Sequence, residues 1–352
     1  MYFTFRRNLA LAKSKPNMRD VAEAAEVSAS TVWMVIHNKP GVSPETSQKV
    51  WDIIGDLGYM VKTNSEKKKT TDTLGLLIEQ NTIPAISDVF YGDIIRGFQA
   101  EADELGYQVI LSMFDRSQQS LGNIRSTLIP QISGLVIAND GDITPEIIKD
   151  LQSPGLPIVL VESHIEDHQL TCVLGDNFMA GYKITRHILD LGHRDIAILK
   201  GPTKYSSLVD RLRGCLAAIA ENGLTVRHEW MPEPIKGHPL KGYMQMQDIL
   251  GSSQLPTAVI AISDKTALGA MEAIREADLH IPNDISIGSI DNTHESGYAR
   301  PPLTTVHIPK FEIGVLALRN LHDIIEGRNA IPLKSIVYSE LIIRESTGKR
   351  HD

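Results

Sequence analysis

Residues 19–59 read RDVAEAAEVSASTVWMVIHNKPGVSPETSQKVWDIIGDLGY. Apolar residues recur there every three to four positions, in three runs separated by polar turns, which is helical rather than strand periodicity. The first run covers about residues 19–25, with Val21, Ala22 and Ala25 on one face. The second follows Ser28, whose hydroxyl can accept from the free amides of a first turn. Its stripe is Val32, Val35 and Ile36. The third opens at Ser43, with Pro44 at the first helical position and Glu45 in the first turn. It continues through Val50, Trp51, Ile54 and Leu57 to Gly58. Two short helices joined by Ala25-Glu26-Val27-Ser28 form a helix-turn-helix, whose second helix is narrow enough to enter a major groove. Periodicity alone leaves a plain three-helix domain equally open.

Downstream, from Leu74, the pattern changes to short apolar strands alternating with amphipathic helices. Strands are expected at residues 74–78, 109–112, 134–138, 158–161, 196–200, 258–262 and 286–290. Helices are expected near 91–105, 180–191, 208–221, 242–250, 265–277 and 313–325. Such alternation with β-branched strand cores predicts parallel sheets covered on both faces. About 270 residues of it is too much for one sheet and predicts two lobes. A ligand of such lobes belongs at the carboxyl ends of the strands.

The chain has 352 residues, 42% hydrophobic and 22% charged, with a net charge of -8. Its charge is unevenly spread: residues 1–70 hold 11 Lys/Arg and 7 Asp/Glu, a balance of +4, leaving 24 basic and 36 acidic residues, -12, for the rest. A basic head on an acidic body concentrates attraction for phosphate at the head; ordinary compositional scatter is the alternative. Cys172 and Cys215 stand far apart in no metal-binding spacing. His164 and His168 share a helical spacing but sit in a polar stretch, read as solvated loop histidines. No metal site and no cofactor is expected. Residues 1–16 fit no element and are read as a disordered arm, with Met18 an alternative start. They contain no signal-peptide core, and no run approaches membrane-span length, so a cytoplasmic protein is expected. Dinucleotide, P-loop, zinc-protease and nucleophile-elbow motifs are absent from the sequence, which argues against an enzyme.

The head motifs D-V-A-x-x-A-x-V-S-x-S-T-V, P-G-V-S-P-E-T and L-G-Y resemble the headpiece of the LacI/GalR (lactose/galactose repressor) family. The body carries matching motifs: D-N-x-x-A-G at Asp176–Gly181, L-G-H-R at Leu191–Arg194, Gly201-Pro202 and P-T-A-V at Pro256–Val259. It also carries I-P-N-D-I-S-I-G at Ile281–Gly288, P-P-L-T-T-V at Pro301–Val306 and I-I-R-E-S-T at Ile342–Thr347. The resemblance implies a helix-turn-helix headpiece plus a two-lobed α/β domain like the periplasmic binding proteins, with three crossings between lobes, placed near residues 192, 301 and 327. The implied layout is an arm (1–16), a DNA-binding domain (17–59), a basic linker (60–73), an effector and dimerisation domain (74–347) and a tail (348–352). Lobe 1 would comprise 74–191 and 302–327, and lobe 2 192–301 and 328–347.

The implied partners are double-stranded, pseudo-palindromic operator DNA, a small-molecule effector that is a sugar or sugar derivative, and a second copy of the chain. The recognition helix would run from Ser28 to Ile36. Ala29, Ser30 and Met34 would face base edges, while Thr31 and Asn38 would help place the head on phosphates. The sequence departs from the family at Glu26, where a turn glycine is usual, and at Trp33 and Met34, where serine and arginine are common. Arginine reads guanine with two hydrogen bonds, whereas Met34 offers only apolar contact. Trp33 is expected in the headpiece core, with a place against the sugar-phosphate backbone as the alternative. The family's proline-led hinge helix is also missing. Lys67, Lys68 and Lys69 stand there instead, read either as phosphate contacts that steepen salt dependence or as a solvated tether. Tetramers of the kind that relatives build with a C-terminal leucine heptad are not expected.

Effector contacts follow from the resemblance. Asp176, Arg211 and Asp291 match its polar ligands, two carboxylates and a planar fork suited to hydroxyl pairs. Helix capping is the alternative for the two aspartates, and a surface ion pair with Asp210 or Glu221 the alternative for Arg211. Phe90 and Tyr91 match a pair that leans over the ligand; core packing is equally open. Tyr205 and Ser207 are further candidates. Ser263 stands where asparagine is common, and Gly237 where an aromatic floor is usual. A solute-binding protein with no DNA role is the rival reading.

Overall fold

The computed structural model describes residues 18–36, 39, 41–57, 73–79, 89–114, 122–138, 145–152, 155–165, 168–234, 241–329 and 331–350. The chain divides into two compact units, residues 1–69 and 70–352.

The first unit contains α1 (Met18–Ala25), α2 (Ala29–Ile36) and α3 (Pro44–Leu57). Its core is Val21, Ala22, Ala25, Val32, Val35, Ile36, Val50 and Ile54, all buried, as the helical stripes predict. Ser28 caps α2: its Oγ accepts from Thr31 N at 3.0 Å. Ser43 caps α3 in the same way, accepting from Thr46 N at 3.2 Å. The chain turns between α1 and α2 at Glu26, whose φ of +55° lies in the left-handed region, the conformation expected where relatives use glycine. Trp33 does not enter the core; it is 44% exposed. The reason is rotational: a residue after Val32 lies about 100° round the helix, off the stripe that faces α1 and α3.

The second unit holds two sheets. The first has the order β10-β5-β4-β3-β1-β2, all parallel. Its strands are β1 (Thr73–Glu79), β2 (Gln108–Phe114), β3 (Leu135–Ala138), β4 (Ile158–Val161), β5 (Cys172–Gly175) and β10 (Lys334–Val337). The second has the order β11-β9-β8-β7-β6, parallel except for β11. It comprises β6 (Ile196–Leu199), β7 (Ala258–Ala261), β8 (Ser286–Asp291), β9 (Thr304–His307) and β11 (Glu340–Ile342). Central strands such as β3, β4 and β7 are buried at every position, as parallel strands covered on both faces must be.

Helices α4 (Val89–Leu105) and α11 (Lys310–Ile325) pack together, and α11 lies on the first sheet. α6 (Asn177–Asp190) and α7 (Ser206–Glu221) pair beside the second sheet, as do α8 (Lys241–Leu250) and α9 (Asp264–Glu276). Short helices α5 (Pro145–Gln152) and α10 (His294–Tyr298) complete the set among the described residues.

The crossings between lobes lie elsewhere than residues 192, 301 and 327. The chain leaves the first sheet after β5, so it crosses at residue 176 and α6 belongs to lobe 2. It returns at 308–309, between β9 and α11, and crosses back at 338–339, between β10 and β11. Accordingly β9 is in lobe 2 and β10 in lobe 1. Each misplaced boundary follows a strand of only four residues, β5, β9 or β10, too short to show its own periodicity. β5, β9 and β10 all run into crossings at their carboxyl ends. The carboxyl edges of both sheets are therefore turned toward the same junction.

Candidate functional site

In the head, α2 presents Ala29 and Ser30 to solvent, while Thr31 and Met34 are half-buried. The Ser28 hydroxyl lies 2.8 Å from that of Thr31, so both are tied to the helix start. Met34 leans on the following turn: a Cβ on Gly41, whose φ is +113°, would lie 3.2 Å from Met34 Cε. Asn38, Lys67, Lys68 and Lys69 lie outside the described residues.

In the body, the junction of the sheets is built around Arg211, which is 2% exposed. It sits on α7, drawn close to α6 by two glycines. A Cβ on Gly181 would lie 1.9 Å from Arg211 O, and one on Gly214 1.9 Å from Phe178 O. Arg211 Nε donates to Asn177 Oδ1 at 2.8 Å and Nη1 to Ile262 O at 3.0 Å. Nη1 also lies 2.8 Å from Asp291 Oδ1. That contact is an ion pair rather than an aligned hydrogen bond, for Oδ1 is buried with no hydrogen-bond donor. Arg211 is thus no surface ion pair with Asp210 or Glu221; Asp210 pairs with Arg213 at 3.2 Å and Glu221 accepts from Tyr182.

Asp291 ends β8 with φ +128°, followed by Asn292 at +52°. Burial pushes its carboxyl up to about 6, beyond what Arg211 and Lys310 offset, with Asp264 adding to the rise. A folded-state value above the unfolded one means stability fully present below about pH 3.8 and lost as pH rises through 6, on the order of 3 kcal/mol. Asp291→Asn cannot titrate. Wild type should therefore lose stability relative to this variant between pH 4 and pH 7, read as diverging urea midpoints. A gap that stays constant with pH would refute the assignment.

Three buried residues that sequence reading missed complete the junction. Glu162, directly after β4, accepts from Gly175 N and from Asn177 Nδ2, the latter at 3.2 Å. Asn177 opens α6. Lys310 opens α11, is 2% exposed and donates Nζ to Asp291 O. Hydrogen bonds and the Arg211–Asp291 ion pair thus run from lobe 1 (Glu162) through lobe 2 (Asn177, Arg211, Asp291) back to lobe 1 (Lys310). An acid immediately beyond an all-apolar strand was the only sequence signal for Glu162.

The other candidates lie around this junction. Phe90 is half-buried, with its ring 5.7 Å from Lys310 Nζ and 5.3 Å from the Tyr91 ring. Asp176 caps α6, accepting from Met179 N at 3.2 Å. Ser263 caps α9, accepting from Thr266 N at 3.3 Å, one residue beyond the carbonyl that Arg211 holds. Tyr205 precedes α7 and Ser207 lies one turn before Arg211, both half-buried. Gly237 lies outside the described residues.

Comparison with known proteins gives concordant matches. Residues 17–61 match bacterial regulatory proteins of the lacI family, and residues 185–347 match a periplasmic binding protein-like domain. The HTH-type transcriptional repressor PurR of Actinobacillus pleuropneumoniae serotype 3 (strain JL03) is 31% identical over 333 residues, 94% of this chain and 97% of that protein. Catabolite control protein A of Priestia megaterium is 33% identical over 307 residues, 86% of this chain and 90% of that one. A solved transcriptional regulator CelR-cellobiose complex superposes with a TM-score of 0.73 at 26% identity, covering 94% of this chain and 99% of its own. The lac repressor dimer bound to operator and the anti-inducer ONPF gives 0.68 at 25% identity, covering 95% and 100%. The chain belongs to the lacI family of bacterial transcriptional regulators, a DNA-binding head followed by a two-lobed effector-binding domain.

Proposed function

We propose that this regulator acts as a homodimeric repressor on a pseudo-palindromic operator. Each α2 enters one of two major grooves about 34–36 Å apart. Ala29, Ser30 and Met34 face bases, Ser28 and Thr31 fix the helix start, and Asn38 with Lys67, Lys68 and Lys69 contacts phosphates. The effector is a sugar or sugar derivative held at the interlobe junction by Arg211, Asp291, Asp176 and Ser263, with Phe90, Tyr91, Tyr205 and Ser207 around it. The observation that carries this is the Arg211–Asp291 pair, a guanidinium and a carboxylate, both buried and 2.8 Å apart at the carboxyl end of β8. A ligand hydroxyl can donate to the carboxylate and accept from the guanidinium. The cellobiose of the CelR complex fits the same chemistry. The protein performs no catalysis and works where its DNA is, in the cytoplasm. Among the described residues no helix is long and apolar enough to cross a membrane.

The test is a mobility shift on the promoter beside the protein's own gene. Ser30→Ala/Thr31→Ala is expected to weaken retardation at least tenfold, about 1.4 kcal/mol, while leaving the circular dichroism of the body unchanged. Retardation equal to wild type would remove α2 from the interface.

A further inference from the structure

Helix α2 reads Ala-Ser-Thr-Val-Trp-Met-Val-Ile from Ala29 to Ile36 and contains no charged or amide side chain. Those are the side chains that tell base pairs apart by well-placed hydrogen bonds, above all arginine on guanine and asparagine or glutamine on adenine. The hydroxyls of Ser30 and Thr31 serve any base edge and discriminate little. What the major groove offers an apolar side chain is the C5-methyl group of thymine. A helix of this composition therefore reads bases through apolar contact.

The exposed apolar surface of α2 is concentrated in one residue. Val32, Val35 and Ile36 are buried in the head core. Met34 is half-buried and leans on the turn at Gly41. Ala29 is exposed but offers a single methyl. Trp33 is 44% exposed. It follows Ala29 by four residues and Ser30 by three, the spacings that put side chains on one helix face. Long side chains on a helix lean toward its N-terminus and cover the turn before their own Cα. The turn before Trp33 is Ala29–Ser30, whose small side chains leave an indole room, at the end of α2 that meets base edges.

We propose that Trp33 is a specificity-determining residue of the head. Its indole packs against thymine methyls in the major groove, so that the base pairs under the start of α2 are A·T or T·A rather than G·C. Ala29 and Met34 add smaller apolar contacts, and Ser30 bonds whichever base edge that packing brings to it. This rests on the reading, given above, that α2 enters the groove. An indole lying on the sugar-phosphate backbone would instead add affinity without sequence preference.

Selection from a random pool of duplexes by the full chain, followed by mobility shifts on the retained sequence, tests it. The retained half-sites should carry A·T or T·A pairs at their preferred positions. Replacing those thymines by deoxyuridine removes only the methyl and should weaken binding about fourfold for each methyl lost. Trp33→Ala should bind on the order of tenfold more weakly and should no longer respond to deoxyuridine. Trp33→Phe keeps a ring and should keep the response. Trp51→Ala removes an equally exposed tryptophan from α3 and should bind and select as wild type does. Unchanged circular dichroism shows that each variant folds. The proposal is overturned if the preferred positions are G·C, if deoxyuridine changes nothing, or if Trp33→Ala matches wild type. Weaker binding by Trp33→Ala with the deoxyuridine response intact puts the indole on the backbone and overturns it as well. Each of those results leaves α2 in the groove; a pool in which no sequence is enriched overturns that underlying reading too.

Discussion

Arg211→Met should destabilise the second unit by about 3–5 kcal/mol and abolish the effector response. Arg211 is 2% exposed and serves Asn177, Ile262 O and Asp291 at once. Its removal leaves Asp291 buried beside a single remaining cation, Lys310, and leaves Asn177 Oδ1 and Ile262 O without their donor. Breaking one half of a buried ion pair carries a penalty of that size, because the surviving charge keeps its desolvation cost. Methionine fills much of the arginine stem's volume, so a cavity contributes little. The measurement is urea unfolding of the full chain at pH 7, followed by a mobility shift with and without effector. A loss under 1 kcal/mol would mean that Arg211 is held by packing and that its polar contacts are incidental.

Gly181→Ala is the second large effect, expected to cost about 3 kcal/mol, the upper end of typical overpacking. The added methyl would sit 1.9 Å from Arg211 O, a backbone atom that no rotamer can move. Either α6 or α7 must shift, and Arg211 Nε then loses its 2.8 Å contact with Asn177. Gly297→Ala is the control: it lies in α10, where an added methyl meets nothing within 4 Å. It should be neutral or stabilising by up to about 1 kcal/mol, the helix-propensity gain over glycine. Equal unfolding midpoints for the two variants would show that α6 and α7 can separate at no cost.

These residues also show what the sequence carried and what it withheld. The head was legible because its signals are local: Ser28 and Ser43 cap the helices they precede, and Glu26 takes the left-handed turn. Trp33 was misjudged, since its size suggested burial while its helical phase pointed outward. In the body, strands of four apolar residues flanked by clear helices were found, such as β6 and β7. β5, β9, β10 and β11 were not. The exposed and half-exposed positions of β10 and β11 blur any apolar run, and the crossings were displaced with them. Arg211 and Asp291 were found by family motif, and the structure brings them together. Glu162, Asn177 and Lys310 were not, because which buried charge meets which is fixed by how the lobes fold together. For Asp176 the sequence left effector binding and helix capping both open; its Oδ1 caps α6, which does not exclude the proposed effector contact.

The three crossings have a mechanical consequence. Each tether is only one or two residues long, at 176, 308–309 and 338–339. So short a set cannot stretch, and three together resist shear. What such short tethers leave easiest is rotation of one lobe on the other, a hinge motion that moves atoms far from the tethers more than those beside them. Motion of this kind works as a lever: a ligand's small local pull next to the tethers becomes a large sweep at the lobe ends.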